Sequence, residues 1–119
     1  WYLIMTMTNE NPLNKWLSIL EKSCNENNLN FSNEADLINR IVLGCTASKY
    51  RQFHDIPKSD AIRDYLNQAE LDCIVSLQRA NTVYIEDGID FQERKEKLTS
   101  LYNRKHKEKI TNEIHLLNA

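Results

Sequence analysis

The chain has very little glycine and proline, with only two of each among 119 residues. β-Sandwiches and small barrels need a tight turn every few residues, and those turns are made largely by glycine and proline. Their scarcity argues against an all-β fold and against disorder of the Pro/Gly-rich kind. The length corresponds to one domain. We therefore expect a single helical domain over residues 11–119, preceded by a leader over residues 1–10 that is disordered or was added by cloning.

Cysteine is sparse as well, and no charge of one sign dominates. Cys24, Cys45 and Cys73 lie far apart without a Cys-x-x-Cys pair, which favours free, partly buried thiols in a reducing cytosol over disulfides or a zinc site. Fifteen Lys and Arg against 17 Asp and Glu give a net charge of −2, so no overall field attracts nucleic acid. No run approaches the roughly 20 apolar residues of a membrane span. We expect no metal, no cofactor and no membrane contact.

Apolar residues recur at helical spacing along the chain, beginning with a stripe formed by Leu13, Trp16, Leu17, Leu20 and Cys24. Helix starts are marked by side chains whose oxygen can accept a backbone hydrogen bond. We expect these starts at Asn11, at Ser32 or Asn33, and at Thr46, Ser59, Asn67 and Asp90. Gly44 and Gly88 stand where helices end, and helix is expected to continue beyond Asn103. The prediction is an all-α bundle of about six helices.

Residues that could perform catalysis are scattered. There is no glycine-rich phosphate loop, and His54, His106 and His115 have no neighbouring nucleophile in a catalytic pattern. We expect no catalytic residues, no enzymatic activity and no small-molecule substrate.

Polar residues interrupt the apolar face of the fifth predicted helix. Gln78, Asn81 and Thr82 continue the face on which Leu71 and Ile74 lie. Polar groups on such a face must be hydrogen-bonded internally or lie at an interface. Both an internal hydrogen-bond network and an interaction surface are compatible with this pattern.

A second polar set, Arg63-Asp64-Tyr65, precedes that helix. An Arg–carboxylate pair has specific geometry, and tyrosine adds a polar tip to an apolar body. We expect this set to form an internal network that holds the fourth helix against the fifth, with Asp64 paired to an arginine. An interaction surface is the alternative.

A DNA-binding alternative rests on residues 34–53, where a helix, Gly44 and a short capped helix follow one another as in a helix-turn-helix. Lys49, Tyr50, Arg51 and Gln52 would then reach phosphates or bases. The fit is poor, because Arg40 stands where such motifs need a small residue and because Lys49 and Gln52 take inward positions. The basic run Arg104-Lys105-His106-Lys107 is expected to be a solvated helix face, or else a weak electrostatic contact.

Three segments together resemble a known family: Glu34-Ala-Asp-Leu-Ile-Asn39, Leu43-Gly-Cys-Thr-Ala-Ser-Lys-Tyr-Arg51 and Ile62-Arg-Asp-Tyr-Leu66. Leu77-Gln-Arg-Ala-Asn-Thr82 and Gln92-Glu-Arg-Lys-Glu-Lys-Leu98 follow in matching order. This block, residues 34–103, resembles the region that follows the DNA-binding domain in the KilA-N and BRO-type regulators of bacteriophages and large DNA viruses, many of which are antirepressors.

The resemblance implies a phage-encoded protein in the cytoplasm of a bacterial host, acting without turnover. It would bind a repressor or host factor, or a second copy of itself; inhibition of a host defence protein is an alternative. Six motif residues match position by position: Arg63, Asp64, Tyr65, Gln78, Arg79 and Asn81. Gln78, Arg79, Arg94 and Lys95 are the candidates for contact with a protein partner.

Overall fold

The computed structural model describes the backbone of residues 12–118 and the side chains of residues 12–112. Within that part of the chain there is no β-strand. The helices are α1 (Pro12–Glu26), α2 (Phe31–Leu43), α3 (Ala47–His54), a 3₁₀ helix (Ile62–Tyr65), α4 (Gln68–Glu86), α5 (Phe91–Leu101) and α6 (Lys107–Asn118). The predicted all-α class with about six helices is confirmed. The expected leader and the Asn11 cap lie outside the described residues.

The central helix is α4, which packs against α1, α2, α5 and α6. Cys73, Ile74, Leu77 and Ile85 are its buried apolar side chains. The rest of the buried cluster comes from the surrounding helices and consists of Leu20, Cys24, Leu37, Ile38, Val42, Leu98 and Ile110. A single hydrophobic core therefore joins five of the helices.

The first helix buries the stripe that its sequence predicts. Leu20 and Cys24 are fully buried, while Leu13 packs against the core from a half-buried position. Ser23 lies on the same face, and its hydroxyl donates to Glu86 Oε1 at 2.7 Å. This hydrogen bond ties α1 to the end of α4.

Most helix boundaries follow from local chemistry. The side chains of Thr46, Asn67 and Asp90 accept hydrogen bonds from the backbone N–H three residues on, and Glu70 completes a capping box with Asn67. Gly44 ends α2 with φ of +80°, in the left-handed region that glycine enters without strain. These predicted caps are confirmed.

The predicted cap of α2 is wrong. Asn30, rather than Ser32 or Asn33, caps this helix, and its side chain accepts from Asn33 N at 3.3 Å. The helix therefore begins at Phe31, whose half-buried ring packs against the core. Several neighbouring residues can cap a helix, so burial of Phe31 decides which of them does.

The predicted fourth helix is reduced to one 3₁₀ turn. Ser59 lies in a turn in which Asp60 N–H donates to Pro57 O at 3.0 Å, and the 3₁₀ helix starts only at Ile62. Leu66 and Asn67 are already extended, as the cap of α4 requires. The start predicted at Ser59 is therefore wrong. The turn at Ser59 and the extended backbone of Leu66 and Asn67 leave too few residues between them for a full α-helix.

Helix continues beyond Asn103, as predicted, through a π-helical turn at Tyr102–His106. Leu98, Tyr102, His106 and Ile110 recur every four residues, slightly more than the 3.6 residues of an α-helical turn. A straight α-helix would carry the later residues away from the core. The wider π turn keeps these residues on one face, and Ile110 is buried with only 4% exposure.

Candidate functional site

Three buried polar side chains from three helices meet in the Glu34 cluster, which consists of Glu34, Asn81 and Arg94. Asn81 Nδ2 donates to Glu34 Oε1 at 3.0 Å, and Arg94 Nη2 donates to Glu34 Oε2 at 2.8 Å. Arg94 Nη1 also donates to the carbonyl of Ile89 at 2.6 Å. Both carboxylate oxygens of Glu34 therefore have partners, as a buried carboxylate requires.

This cluster places one predicted contact candidate, Arg94, and one motif residue, Asn81, in the interior. Asn81 is fully buried and Arg94 is 3% exposed, so both brace α2, α4 and α5 from inside. The third member, Glu34, was missed as a site residue. Its partners lie 47 and 60 residues further along the chain, and no local spacing reveals such a contact.

The Arg63-Asp64-Tyr65 set does not form the expected network. Arg63 Nη1 donates to Asn14 Oδ1 and so ties the 3₁₀ helix to α1. Tyr65 donates its hydroxyl to Asp60 at 2.7 Å, which raises the pKa of the tyrosine. Asp64 is exposed and makes no ion pair among the residues whose side chains are described. The expectation that Asp64 pairs with an arginine is therefore wrong. The neighbouring Arg63 donates to Asn14 instead.

The remaining contact candidates lie partly at the surface. Arg79 is exposed and places its guanidinium 5.2 Å from the centre of the Trp16 ring, in a cation–π contact. Lys95 is exposed on α5. Gln78, by contrast, is only 3% exposed.

The DNA-binding candidates on α3 do not share one face. Lys49 and Gln52 are exposed rather than inward-facing, which contradicts the sequence expectation. Tyr50 is half-buried with its ring centre 4.2 Å from that of His54, and burial raises the pKa of its phenol. Arg51 turns inward, where its Nη2 donates to the carbonyl of Asp60 at 3.2 Å.

The basic run is a mostly solvated helix face. Arg104, Lys105 and Lys107 are exposed, but His106 is half-buried with Nε2 3.1 Å from Ser76 Oγ. Burial lowers the pKa of His106, and the neighbouring Lys109 lowers it further.

The three cysteines are free thiols, as predicted. Burial raises the pKa of Cys24 to about 11 and that of Cys73 to about 12. Both thiols therefore stay protonated at neutral pH and behave as small apolar groups. In the part of the chain that the structure describes, no three His, Cys, Asp or Glu residues are grouped so that they could hold a metal ion. None of the described helices has the length and apolar character to cross a membrane.

An open cleft of about 260 Å³ lies between α1, α2, α3, the 3₁₀ helix and α4. We call it the Gln78 cleft. Its apolar walls are formed by Leu13, Leu17, Phe31, Ile62, Leu66 and Ile74. Gln78 and Arg51 are polar residues in its lining. The sequence signal for this site was the break in the apolar face of α4 at Gln78.

No protein-family model, curated protein or solved structure matches this chain.

Proposed function

We propose that this chain is a non-enzymatic protein-binding module of the phage-regulator type, which captures a repressor or a bacterial host factor by stoichiometric binding. The resemblance of residues 34–103 to the KilA-N and BRO-type regulators supports this proposal. Such a protein shifts its partner's equilibrium through differential affinity and needs no turnover.

The observation that carries the proposal is the exposure of two large aromatic side chains, Phe53 and Tyr65, on neighbouring elements. Phe53 is 74% exposed on α3, and Tyr65 is 49% exposed on the 3₁₀ helix that packs against α3. Large aromatic side chains are enriched in the cores of protein interfaces, where they lose water on binding. These exposed aromatic side chains therefore suit contact with a second protein, whereas a phosphate backbone would favour basic residues.

The internal use of the reactive side chains also supports a role without catalysis. In the Glu34 cluster, the carboxylate of Glu34 is paired with the guanidinium of Arg94 and hydrogen-bonded to Asn81 inside the fold. The buried thiols of Cys24 and Cys73 are held protonated.

The test is affinity capture from a bacterial host with the tagged full chain, followed by titration of the purified captured protein. We expect saturable one-to-one binding that persists at high salt. Phe53→Ser should weaken it about tenfold or more, since an aromatic anchor of an interface contributes about 1.4 kcal/mol or more. Val83→Ser is the matched control, because Val83 is 56% exposed on a different helix.

DNA binding through α2 and α3 is the second candidate, favoured by the exposure of Lys49 and Gln52 on the helix after Gly44. It requires an affinity that falls steeply with salt and is lost in Lys49→Ala. The inward position of Arg51 removes one of its four proposed contacts. Inhibition of a host defence protein shares the proposed mechanism and differs only in the partner, which the capture experiment identifies.

A further inference from the structure

A second surface groove, of about 440 Å³, lies between α2 and α5 and combines positive charge with apolar side chains. We call it the Arg40 groove. Its cations are Arg40 on α2 and Lys95 on α5, and both side chains are exposed. Its apolar lining consists of Leu37, Ile41, Phe91 and Tyr102. No Asp or Glu of the described residues lines it, so the groove is locally positive although the whole chain has a net charge of −2.

The arginines that have no internal partner lie beside Lys95. The chain has six arginines. Four of them have internal contacts, namely Arg51 with Asp60, Arg63 with Asn14, Arg79 with Trp16, and Arg94 with Glu34. Arg40 and Arg104 have no side-chain hydrogen bond, ion pair or ring contact in the part of the chain that the structure describes. Arg104 lines an adjoining cleft on α5 together with Lys95, so each of these two arginines shares a cleft with that lysine.

Phe91 gives the groove an exposed apolar surface. This side chain is 44% exposed, and the centre of its ring lies 5.7 Å from the guanidinium carbon of the buried Arg94. Arginine and phenylalanine are both enriched in protein interfaces relative to the rest of the surface. Unpaired cations beside an exposed ring match a ligand that is anionic and apolar at the same time.

We propose that the Arg40 groove binds an acidic segment of a partner protein, in which Asp or Glu residues flank a large apolar side chain. The carboxylates accept charge-assisted hydrogen bonds from Arg40 and Lys95. The apolar side chain packs against Phe91 and Ile41. This inference rests on the proposed function and specifies the chemistry of the partner.

Charge complementarity selects a short protein segment over a nucleic acid. The groove and the adjoining cleft together offer three cations, and Glu96 places a carboxylate among them. Nucleic acids carry one charge per nucleotide, and their binding depends on neutralising several successive phosphates. The net charge of −2 opposes the approach of such a polyanion. Two or three carboxylates of a protein segment, by contrast, match the cations that are present.

The test is an NMR titration of the isotopically labelled full chain with the peptide acetyl-Glu-Asp-Leu-Phe-Asp-Glu-amide. One control peptide has Gln and Asn in place of the acids, and the other has Ser-Ser in place of Leu-Phe. We expect saturable shifts of the backbone amides of Arg40, Ile41, Phe91 and Lys95 with the first peptide, at a dissociation constant of about 1 mM. Each control peptide should bind at least about fivefold more weakly, because it lacks either the charge or the apolar side chains.

Two charge reversals test the assignment. Arg40→Glu and Lys95→Glu each place a like charge opposite the peptide and should weaken its binding about tenfold. Lys22→Glu is the matched control, since it changes the net charge equally at an exposed position of α1 outside the groove. At about 0.1 M salt, where charges more than about 10 Å apart are largely screened, Lys22→Glu should bind the peptide like the parent chain. Lys95→Glu decides the question by itself if Arg40→Glu does not fold.

Several results would overturn the inference. These are an absence of saturable shifts up to about 5 mM peptide, shifts confined to other surfaces, equal binding of a control peptide, and unchanged binding in the two charge reversals. Saturable shifts at the groove with a thymidine hexanucleotide but not with the peptide would assign it to nucleic acid. Concentration-dependent shifts at the groove without any peptide would assign it to a second copy of the chain.

The two proposals can fail separately. If a captured partner binds Arg40→Glu and Lys95→Glu as tightly as the parent chain, this groove is not its receptor and the proposed function still stands. If no protein partner is captured, the proposed function fails whatever the peptide titration gives.

Discussion

Arg94 on α5 places Nη2 2.8 Å from Oε2 of Glu34 on α2, and both side chains are only 3% exposed. A buried charge is tolerated when it is paired and its remaining hydrogen-bonding groups are used. Asn81 Nδ2 donates to the other carboxylate oxygen and the carbonyl of Ile89 accepts from Arg94 Nη1, whereas Arg94 Nε has no hydrogen-bond partner among the described residues. The pair thereby fixes α5 and the turn before it relative to α2.

Arg94→Met should lower the free energy of unfolding by about 3–5 kcal/mol, because it leaves the Glu34 carboxylate buried without its counter-charge. Urea denaturation measures the change. Lys95→Met is the matched control on the exposed side of α5 and should change stability by no more than about 0.5 kcal/mol. Equal effects of the two substitutions would contradict the structural role of Arg94.

Removing the buried carboxylate as well should recover part of that loss. Glu34→Gln combined with Arg94→Met should cost less than the sum of the two single substitutions, because the double variant has no unpaired buried charge. A double-mutant cycle in urea measures this coupling. Strict additivity would show that Glu34 and Arg94 do not interact energetically.

Asn67→Ala should destabilise the protein by about 1 kcal/mol, the usual contribution of a helix N-cap. Asn67 Oδ1 accepts from Glu70 N–H at 2.8 Å, and Glu70 Oε1 accepts in return from Asn67 N–H at 3.0 Å. Asn112→Ala, at an exposed position within α6, is the control and should be nearly neutral. Thermal unfolding of both variants provides the comparison.

The sequence predicted the caps at Thr46, Asn67 and Asp90 because each depends on residues within one helical turn. It placed the cap of α2 wrongly, because burial of Phe31 by distant residues selects Asn30 from several suitable side chains. The helix predicted from Ser59 is only a 3₁₀ turn, because a turn precedes it and the extended cap of α4 follows it. Local signals therefore sufficed for the three caps that local hydrogen bonds determine, but not for the starts predicted at Ser32 or Asn33 and at Ser59.

Thiol labelling at about pH 8 should show one fast and two slow cysteines. Cys45 is partly exposed in the turn between α2 and α3, whereas the pKa of Cys24 is raised to about 11 and that of Cys73 to about 12 by burial. Cys45→Ser should remove the fast phase entirely. Rapid labelling of two or three thiols in the folded protein would contradict the described burial.

Acidification should destabilise the protein partly through His106. Its pKa is lowered below 6.5 by burial and by Lys109 and Lys105, so the unfolded state binds the proton more readily than the folded state. The contribution of neutral His106 is therefore fully present above pH 6.5 and is lost as the pH falls through the folded-state value. His106→Gln should lose less stability than the parent chain between about pH 7.5 and pH 5.5. A larger loss in the variant would contradict this sign.

The candidate site was less predictable than the fold. The polar break at Gln78 and Asn81 was visible in the sequence, but its two members have different roles. Asn81 Nδ2 donates to Glu34 inside the protein, whereas Gln78 lies in the lining of the Gln78 cleft. The side-chain oxygens of both residues have no hydrogen-bond partner among the described residues. Arg51 was assigned to a surface because nothing local indicates that its side chain turns back toward Asp60. Contacts between residues distant in the chain decide such orientations.

Capture with the tagged full chain from a bacterial host, together with light scattering of the purified protein, tests the central claim most directly. We expect a defined protein that is retained at high salt and binds one-to-one after purification, and we expect Phe53→Ser but not Val83→Ser to weaken this binding. Recovery of nucleic acid alone, released as the salt concentration rises, would contradict a protein-binding function and favour DNA binding.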